Sequence, residues 1–250
     1  MKPLFVHRAL FVVSVFSAGI LLFACNKSDN NMNNNSPVSG FMAVNLATDK
    51  AVNVSLSGAL ITNGPLAFTS YTGDYLSVNS ASRPVQTIDF NTSAVLDSST
   101  FNFAPTRFYS LFVTGTNGHY RNVIVNDNFD SLPTGKAYVR YVNAIPDSSA
   151  PTVTITANGD NVVNNTAPFN TVSNFAAVTP GVVSILVSNG GTINKSRSIP
   201  LDQQNAYTVL LAGVPGSTGS DSLQIKFILN GTVSQKTQKT SSSVGSTTTN

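Results

Sequence analysis

Short runs of β-branched and aromatic residues recur along this chain, and several of them alternate between apolar and polar positions. In the run that ends at Ala157, Val153 and Ile155 fall on the same side as that alanine, and threonines fill the positions between them. A period of two residues is typical of a β-strand that buries one face and exposes the other. The clearest runs cover residues 137–143, 151–157, 181–188, 206–212 and 222–229. Since no stretch of ten or more residues has the period of an amphipathic helix, the pattern predicts an all-β protein.

The composition favours strands and turns. Glutamate and tryptophan are absent, while Asn, Ser, Thr and Val are abundant, which is a mixture poor in helix formers. Clusters of Gly and Asn separate the runs and supply the positive φ angles of tight turns. Cys25 is the only cysteine. No disulfide can therefore form within the chain, and core packing has to supply the stability.

The chain contains an internal repeat. Positions with the same residue recur at a constant offset of 98: Val44 and Val142, Asn45 and Asn143, Asp49 and Asp147, Tyr109 and Tyr207, Gly115 and Gly213. Each copy is about 85 to 95 residues long, which is the size of one β-sandwich. The repeat predicts two sandwich domains, at 41–126 and 137–231, joined by a linker at 127–136. The first copy is expected to be the longer one.

The start of the second copy resembles a known family. Residues 139–155, VRYVNAIPDSSAPTVTI, are similar to the opening signature of domain-of-unknown-function family 4397, found in bacterial exported proteins and lipoproteins. The matching positions are Val142, Asn143, Ala144, Pro146 and Asp147. The first copy keeps Asn45 and Asp49 but lacks the proline. The resemblance covers about residues 41–230 and implies two tandem immunoglobulin-like or transthyretin-like β-sandwich domains, without known catalytic residues.

The first residues indicate export. A short basic start is followed by an uncharged apolar stretch from Ala9 to Ala24, which is long enough for a signal peptide and short for a membrane-spanning helix. Leu22, Ala24 and Cys25 resemble a bacterial lipobox, although Phe23 departs from the usual pattern. The sequence thus predicts a signal peptide at 1–24 and a lipidated Cys25. The alternative is a buried free thiol, the usual state of a lone cysteine.

Polar segments flank the predicted domains. Residues 25–40 are rich in Asn and Ser and should form a disordered tether from the lipid. Residues 232–250 are rich in Ser and Thr and should form a disordered tail. We expect an exported protein with the membrane as partner through its lipid, held to the bacterial envelope at the outer membrane, on the periplasmic or the cell-surface face.

Five residues are candidates for ligand binding. Asn143, Asp147 and Asp160 offer a sugar or cation site at one end of the second sandwich, and Tyr138 and Tyr141 offer aromatic contacts. A structural role is the alternative for each of them. Short polar side chains at a strand end commonly bond to nearby backbone amides, and a tyrosine in a strand is commonly packed in the interior.

The sequence argues against catalysis, cofactors and metals. His119 is the only histidine after the predicted signal peptide, so a histidine-based triad or a zinc site lacks partners. Residues 126–130 place oxygens as a calcium loop does, but glycine and a closing acid are missing. Without Lys2 and Arg8 the formal net charge falls from +3 to about +1, and no basic cluster indicates nucleic-acid binding. We expect a non-catalytic surface module that binds a glycan or an envelope protein, or alternatively a structural spacer with no small ligand.

Overall fold

The computed structural model describes residues 36–130 and 132–233. The predicted signal peptide, Cys25, most of the tether and nearly all of the tail lie outside these residues. Every regular element in the described part is a strand, which confirms the all-β prediction. The first strand begins at Val38, so the last three residues of the predicted tether belong to a domain.

The first domain consists of two four-stranded sheets, which we call sheet A (order β4-β1-β7-β8) and sheet B (order β3-β2-β5-β6). Strands β1 and β7 are parallel and lie at the centre of sheet A, and the other pairs in both sheets are antiparallel. The strands are β1 (Val38–Ala47), β2 (Val52–Leu56), β3 (Ala59–Leu60), β4 (Leu76–Asn79), β5 (Ser82–Asp89), β6 (Val95–Asn102), β7 (Phe108–Thr116) and β8 (His119–Asn126).

The second domain repeats this arrangement with sheet C (order β12-β9-β15-β16) and sheet D (order β11-β10-β13-β14). Here β9 and β15 form the parallel central pair. The strands are β9 (Ala137–Ala144), β10 (Thr152–Ala157), β11 (Asp160–Thr166), β12 (Ala176–Val178), β13 (Gly181–Ser188), β14 (Asn194–Leu201), β15 (Asn205–Ala212) and β16 (Gln224–Thr232). The topology therefore shows the duplication that the sequence repeat predicts.

Strands β1 and β9 are buried on both faces, because each lies between two other layers. Their odd-numbered residues enter the core of their own domain, between sheets A and B or between sheets C and D. Their even-numbered residues meet between sheets A and C. This contact is an apolar cluster of Met42, Val44, Leu46, Phe112, Val142, Ala144, Leu210, Ala212 and Ile228. The four sheets thus stack in the order B, A, C, D.

The repeated residues hold equivalent places in the two domains. Gly115 and Gly213 have φ angles of 114° and 108°, and a Cβ there would lie 1.9 and 2.2 Å from the carbonyl oxygens of His119 and Ser222. Only glycine tolerates both conditions. The hairpin after Gly213 is longer than its counterpart, because the offset between equivalent residues grows from 98 to 103 across it. The expectation that the first copy is the longer one was therefore wrong.

In each domain, one tyrosine stabilises the turn before the second strand of the parallel pair. The hydroxyl of Tyr109 accepts a hydrogen bond of 3.0 Å from the Ala104 amide, and that of Tyr207 accepts one of 3.2 Å from the Asp202 amide. In both cases the amide lies five residues before the tyrosine. This contact is like the tyrosine corner of immunoglobulin-type sandwiches.

Candidate functional site

A buried arginine occupies the contact between sheets A and C. Arg140 is an even-numbered residue of β9, so it faces sheet A, and only 2% of it is exposed. Its Nη1 lies 2.5 Å from Oδ1 of Asp127. Its Nε donates to the Thr208 hydroxyl at 2.9 Å, and its Nη2 donates to the Ser110 hydroxyl at 3.1 Å. A charge in this position has to be paired and hydrogen-bonded, since burial removes its water.

Asp127 and four other polar residues complete a closed ring of hydrogen bonds with Arg140. Oδ2 of Asp127 accepts from the Ser110 hydroxyl at 2.6 Å and from the Tyr75 hydroxyl at 2.5 Å. The Tyr75 hydroxyl accepts from Nδ2 of Asn230 at 3.0 Å, and Oδ1 of Asn230 accepts from Thr208 at 2.6 Å. Each hydroxyl in the ring donates once and accepts once. The ring joins residues of both domains.

The ring fixes the protonation of its phenol. Burial, followed by the charge of the Asp127 carboxylate, raises the pKa of Tyr75 well above its ordinary value. The phenol therefore stays protonated and remains a donor to the carboxylate.

Aromatic rings surround the guanidinium. Its Cζ lies 4.4 Å from the ring centroid of Phe175 and 5.6 Å from that of Phe112. Phe175 also packs against Phe129, with the ring centroids 5.6 Å apart. Such cation–π contacts stabilise a desolvated arginine.

A cleft of about 360 Å³ opens beside this cluster. Its lining combines amide and hydroxyl groups with apolar side chains: Val125, Asn126, Asn128, Leu132, Arg140, Val172, Ser173, Asn174 and Phe175. Asn126 and Asn174 are exposed, while Phe175 is half-buried. The first domain supplies the end of β8, and the second supplies the segment before β12. Concave sites of this mixed character between domains are common places for small ligands.

The family model for a domain of unknown function, DUF4397, matches this sequence twice, at residues 41–150 and 137–242. The chain belongs to the DUF4397 family. The two matches confirm the predicted resemblance and the two tandem copies. No curated protein matches the sequence.

Two solved structures are similar to the DUF4397 chain, both described as candidate cell adhesion proteins. The one from Bacteroides eggerthii has a TM-score of 0.23 and 10% identity, and the match covers 78% of this chain and 95% of that one. The one from Bacteroides uniformis has a TM-score of 0.21 and 9% identity, and the match covers 76% and 97%. At these scores neither likeness supports a statement about function.

The signature residues of the DUF4397 copies hold strand ends in place. Asn143 is fully buried; its Nδ2 donates to the Ala167 carbonyl at 2.7 Å and its Oδ1 accepts from the Ile145 amide at 3.1 Å. Oδ1 of Asp147 accepts from the Ser149 amide at 2.7 Å. Hydrogen bonds from the side chain and backbone of Ser149 lower the pKa of Asp147. These contacts confirm the corner role that the sequence offered as the structural alternative.

The structure does not gather the five predicted ligand-binding residues into one place. Asp160 pairs with Ala157 at one end of β10, while Asp147 precedes the other end of that strand. Tyr138 is fully buried between the domains, and Tyr141 lies in the core of the second domain. Only Asp147 and Asp160 among these residues reach the surface.

The sequence interpretation missed the ring around Arg140. The available signal was an arginine within AYVRYV, residues 137–142, a run that is otherwise apolar or aromatic at both odd and even positions. Asp127, which the sequence places within a predicted linker, is 2% exposed. It belongs to the NDNFD segment considered as a calcium loop, and its carboxylate is paired with Arg140.

Metal-binding clusters and membrane-spanning helices are both absent from residues 36–130 and 132–233. Within these ranges, no group of three or more His, Cys, Asp or Glu side chains is placed to hold a metal ion. In that same part of the chain, no helix is long and apolar enough to span a bilayer.

Proposed function

We propose that this protein is a non-catalytic lipoprotein of the bacterial cell envelope that binds an uncharged glycan in the cleft between its two DUF4397 domains. The observation that carries the proposal is the cleft itself. Three asparagines and Ser173 line it beside the ring of Phe175. Amide and hydroxyl groups match the hydroxyls of a sugar as donors and acceptors, and an aromatic side chain suits the apolar face of a sugar ring.

The charge balance of the cleft favours an uncharged ligand. Arg140 contributes to the lining, but its charge is paired with Asp127 at 2.5 Å. The ring hydroxyls of Ser110, Thr208 and Tyr75 bond to these two residues and to Asn230. These hydroxyls are therefore occupied by internal hydrogen bonds and do not face a substrate. This supports a binding role over a catalytic one.

A glycan array with the detergent-solubilised full chain tests the binding proposal. The double variant Asn126→Ala/Asn174→Ala removes two exposed amides from the cleft. We expect its affinity to fall about tenfold or more, the equivalent of about 1.4 kcal/mol. The matched control is Asn79→Ala/Asn102→Ala, which removes two exposed amides from other strands of the first domain. No binding by the unmodified chain, or equal losses in both variants, would contradict the proposal.

Anchoring through Cys25 is a separate part of the proposal. Metabolic labelling with an alkyne fatty acid should mark the full chain, while Cys25→Ser should remain unlabelled and leave the membrane fraction. Two acyl chains hold a protein to a bilayer almost permanently. Protease treatment of intact cells then distinguishes the cell-surface face of the outer membrane from the periplasmic face.

A structural spacer is the second candidate. The specific observation in its favour is that sheets A and C pack face to face, with the ring around Arg140 between them. Such an interface resists bending between the two domains. Co-purification of an envelope protein by a chain that retains no glycan on the array would favour this function.

A further inference from the structure

The outer face of sheet D is a broad surface without charge. Along its strands, alternate residues point away from the core of the second domain, and all of these are exposed or half-exposed. The outward positions are Thr152, Thr154, Thr156, Asn161, Asn164, Thr166, Val182, Ser184, Leu186, Ser188, Asn194, Ser196, Ser198 and Pro200. Hydroxyl and amide groups dominate this face.

The charged residues of β14, an edge strand of sheet D, point to the opposite side of the sheet from the outer face. Lys195 and Arg197 of β14 pair with Val187 and Ile185, whose side chains enter the core. The guanidinium of Arg197 lies over the ring of Phe227, 5.3 Å from its centroid, and donates to the Ile225 carbonyl at 2.6 Å. The alternation of the strand therefore turns both cations away from the outer face.

The chemistry of this face excludes several classes of partner. Nucleic acids and anionic membranes require clustered Lys and Arg, and the face has none. Dry packing against another sheet requires an apolar surface, such as the cluster between sheets A and C. On the outer face, Val182 and Pro200 pair at one end, and Ser184 and Ser198 separate them from Leu186. What remains is a partner without charge that forms many hydrogen bonds.

We propose that the outer face of sheet D binds an uncharged polysaccharide. Hydroxyl and amide side chains on a sheet repeat about every 4.8 Å between strands and about every 6.7 Å along a strand. Each of these groups both donates and accepts hydrogen bonds, as do the repeating hydroxyls of a polysaccharide. Many weak contacts along one polymer add up to firm retention. This surface is separate from the cleft, because it lies on the side of sheet D that faces away from sheet C.

Co-sedimentation of the detergent-solubilised full chain with microcrystalline cellulose and with insoluble starch tests this proposal. The unmodified chain should sediment with at least one of them, and about 1 M NaCl should not release it, since no ion pairs are involved. Ser184→Lys/Ser196→Lys places two cations on exposed positions of the face. We expect this variant to lose about tenfold in affinity, because each new ammonium keeps its water and blocks hydroxyl contacts.

Two control variants show whether a loss of binding belongs to this surface. Ser77→Lys/Ser220→Lys adds the same charge at exposed serines outside sheet D and should sediment like the unmodified chain. The cleft variant Asn126→Ala/Asn174→Ala should also sediment normally, so failure of the cleft proposal and of this one are distinguishable. Circular dichroism checks that each variant is folded.

Three results would overturn the proposal. The first is that the unmodified chain sediments with neither polysaccharide. The second is that Ser184→Lys/Ser196→Lys sediments as well as the unmodified chain. The third is that analytical ultracentrifugation shows a dimer that this variant abolishes, since the face would then bind a second copy of the chain.

Discussion

The two DUF4397 copies agree in their framework and differ where they meet. Met42 of the first copy and Arg140 of the second are equivalent positions at the offset of 98. Asp127, directly after β8, accepts a hydrogen bond of 2.6 Å from the Ser110 hydroxyl, and Asn230 of β16 accepts one of 2.6 Å from the Thr208 hydroxyl. One copy thus supplies the anion and the other supplies the cation. Arginine in both copies would bury two like charges at one interface, which is strongly unfavourable.

A second difference accompanies the first. Tyr75 comes directly before β4, and Phe175 comes directly before β12. The tyrosine hydroxyl joins the hydrogen-bonded ring, while the phenylalanine ring lies against the guanidinium. The duplication therefore supplied two similar surfaces, and the interface depends on the few positions at which they are no longer alike.

The largest loss of unfolding free energy is expected when one residue of the Arg140–Asp127 pair is replaced. Asp127→Asn leaves the buried Arg140 without its counter-ion. Removal of one partner from a buried pair costs about 3–5 kcal/mol of unfolding free energy. Arg140→Met, which introduces the residue of position 42, should cost a similar amount. Denaturant unfolding of the full chain, followed by far-ultraviolet circular dichroism, measures both.

The double variant Arg140→Met/Asp127→Asn sharpens this comparison. It makes the two copies alike at both positions, with methionine at 42 and 140 and asparagine at 127 and 230. An apolar replacement for a buried ion pair is often neutral, so we expect the double variant to be more stable than either single variant. Additive losses would show that the two residues act independently.

The next largest loss of stability is expected at a glycine that both copies share, Gly115 in the first and Gly213 in the second. Gly115→Ala and Gly213→Ala each place a Cβ within 1.9 to 2.2 Å of a carbonyl oxygen at a positive φ. We expect each to cost about 2–5 kcal/mol in the same unfolding experiment. Gly118→Ala is the control, because Gly118 also has a positive φ but open space around it. Equal losses at Gly118 and Gly213 would mean that the close contact is unimportant.

A smaller difference in unfolding free energy is expected between alanine variants of the two signature asparagines, Asn45 and Asn143. Nδ2 of Asn45 donates to the carbonyls of Lys50 and Leu66 at 2.7 and 2.8 Å, whereas that of Asn143 donates to Ala167. Each unsatisfied buried group costs about 1–3 kcal/mol. Asn45→Ala should therefore destabilise the chain more than Asn143→Ala. The reverse order in denaturant unfolding would contradict this expectation.

The smallest expected effect is a pH dependence located in the first domain. The hydrogen bond from Lys50, at 2.8 Å, is the main cause that lowers the pKa of Asp89 below its ordinary value. Asp89 then contributes stability above the unfolded-state pKa of about 3.9, and this contribution is lost as the pH falls through the lower folded-state pKa. Thermal unfolding from about pH 6 to about pH 2 should show this loss. It should be weaker in Asp89→Asn, and an unchanged profile in that variant would rule out the assignment.

Local sequence signals were sufficient for the duplication and for five strands of the second domain, but they did not predict β11, β12 and β14. The alternation of Val153, Ile155 and Ala157 with threonines gave β10 and its buried face, because the side-chain direction in a strand depends only on neighbouring residues. The repeated Asn45 and Asn143 marked equivalent strand ends, since their bonds to nearby backbone groups are needed in each copy. The DUF4397 resemblance followed from the same residues.

Only the tertiary structure decided what the second face of the central strands contacts. The sequence shows that Met42 and Arg140 lie in buried runs, but it cannot show that these runs face each other across sheets A and C. The ring around Arg140 closes through Tyr75 and Asn230, which are 155 residues apart. Such contacts depend on how two sheets pack against each other. The local alternation of apolar and polar residues does not determine that packing. The cleft beside the ring exists for the same reason, because its walls come from both domains.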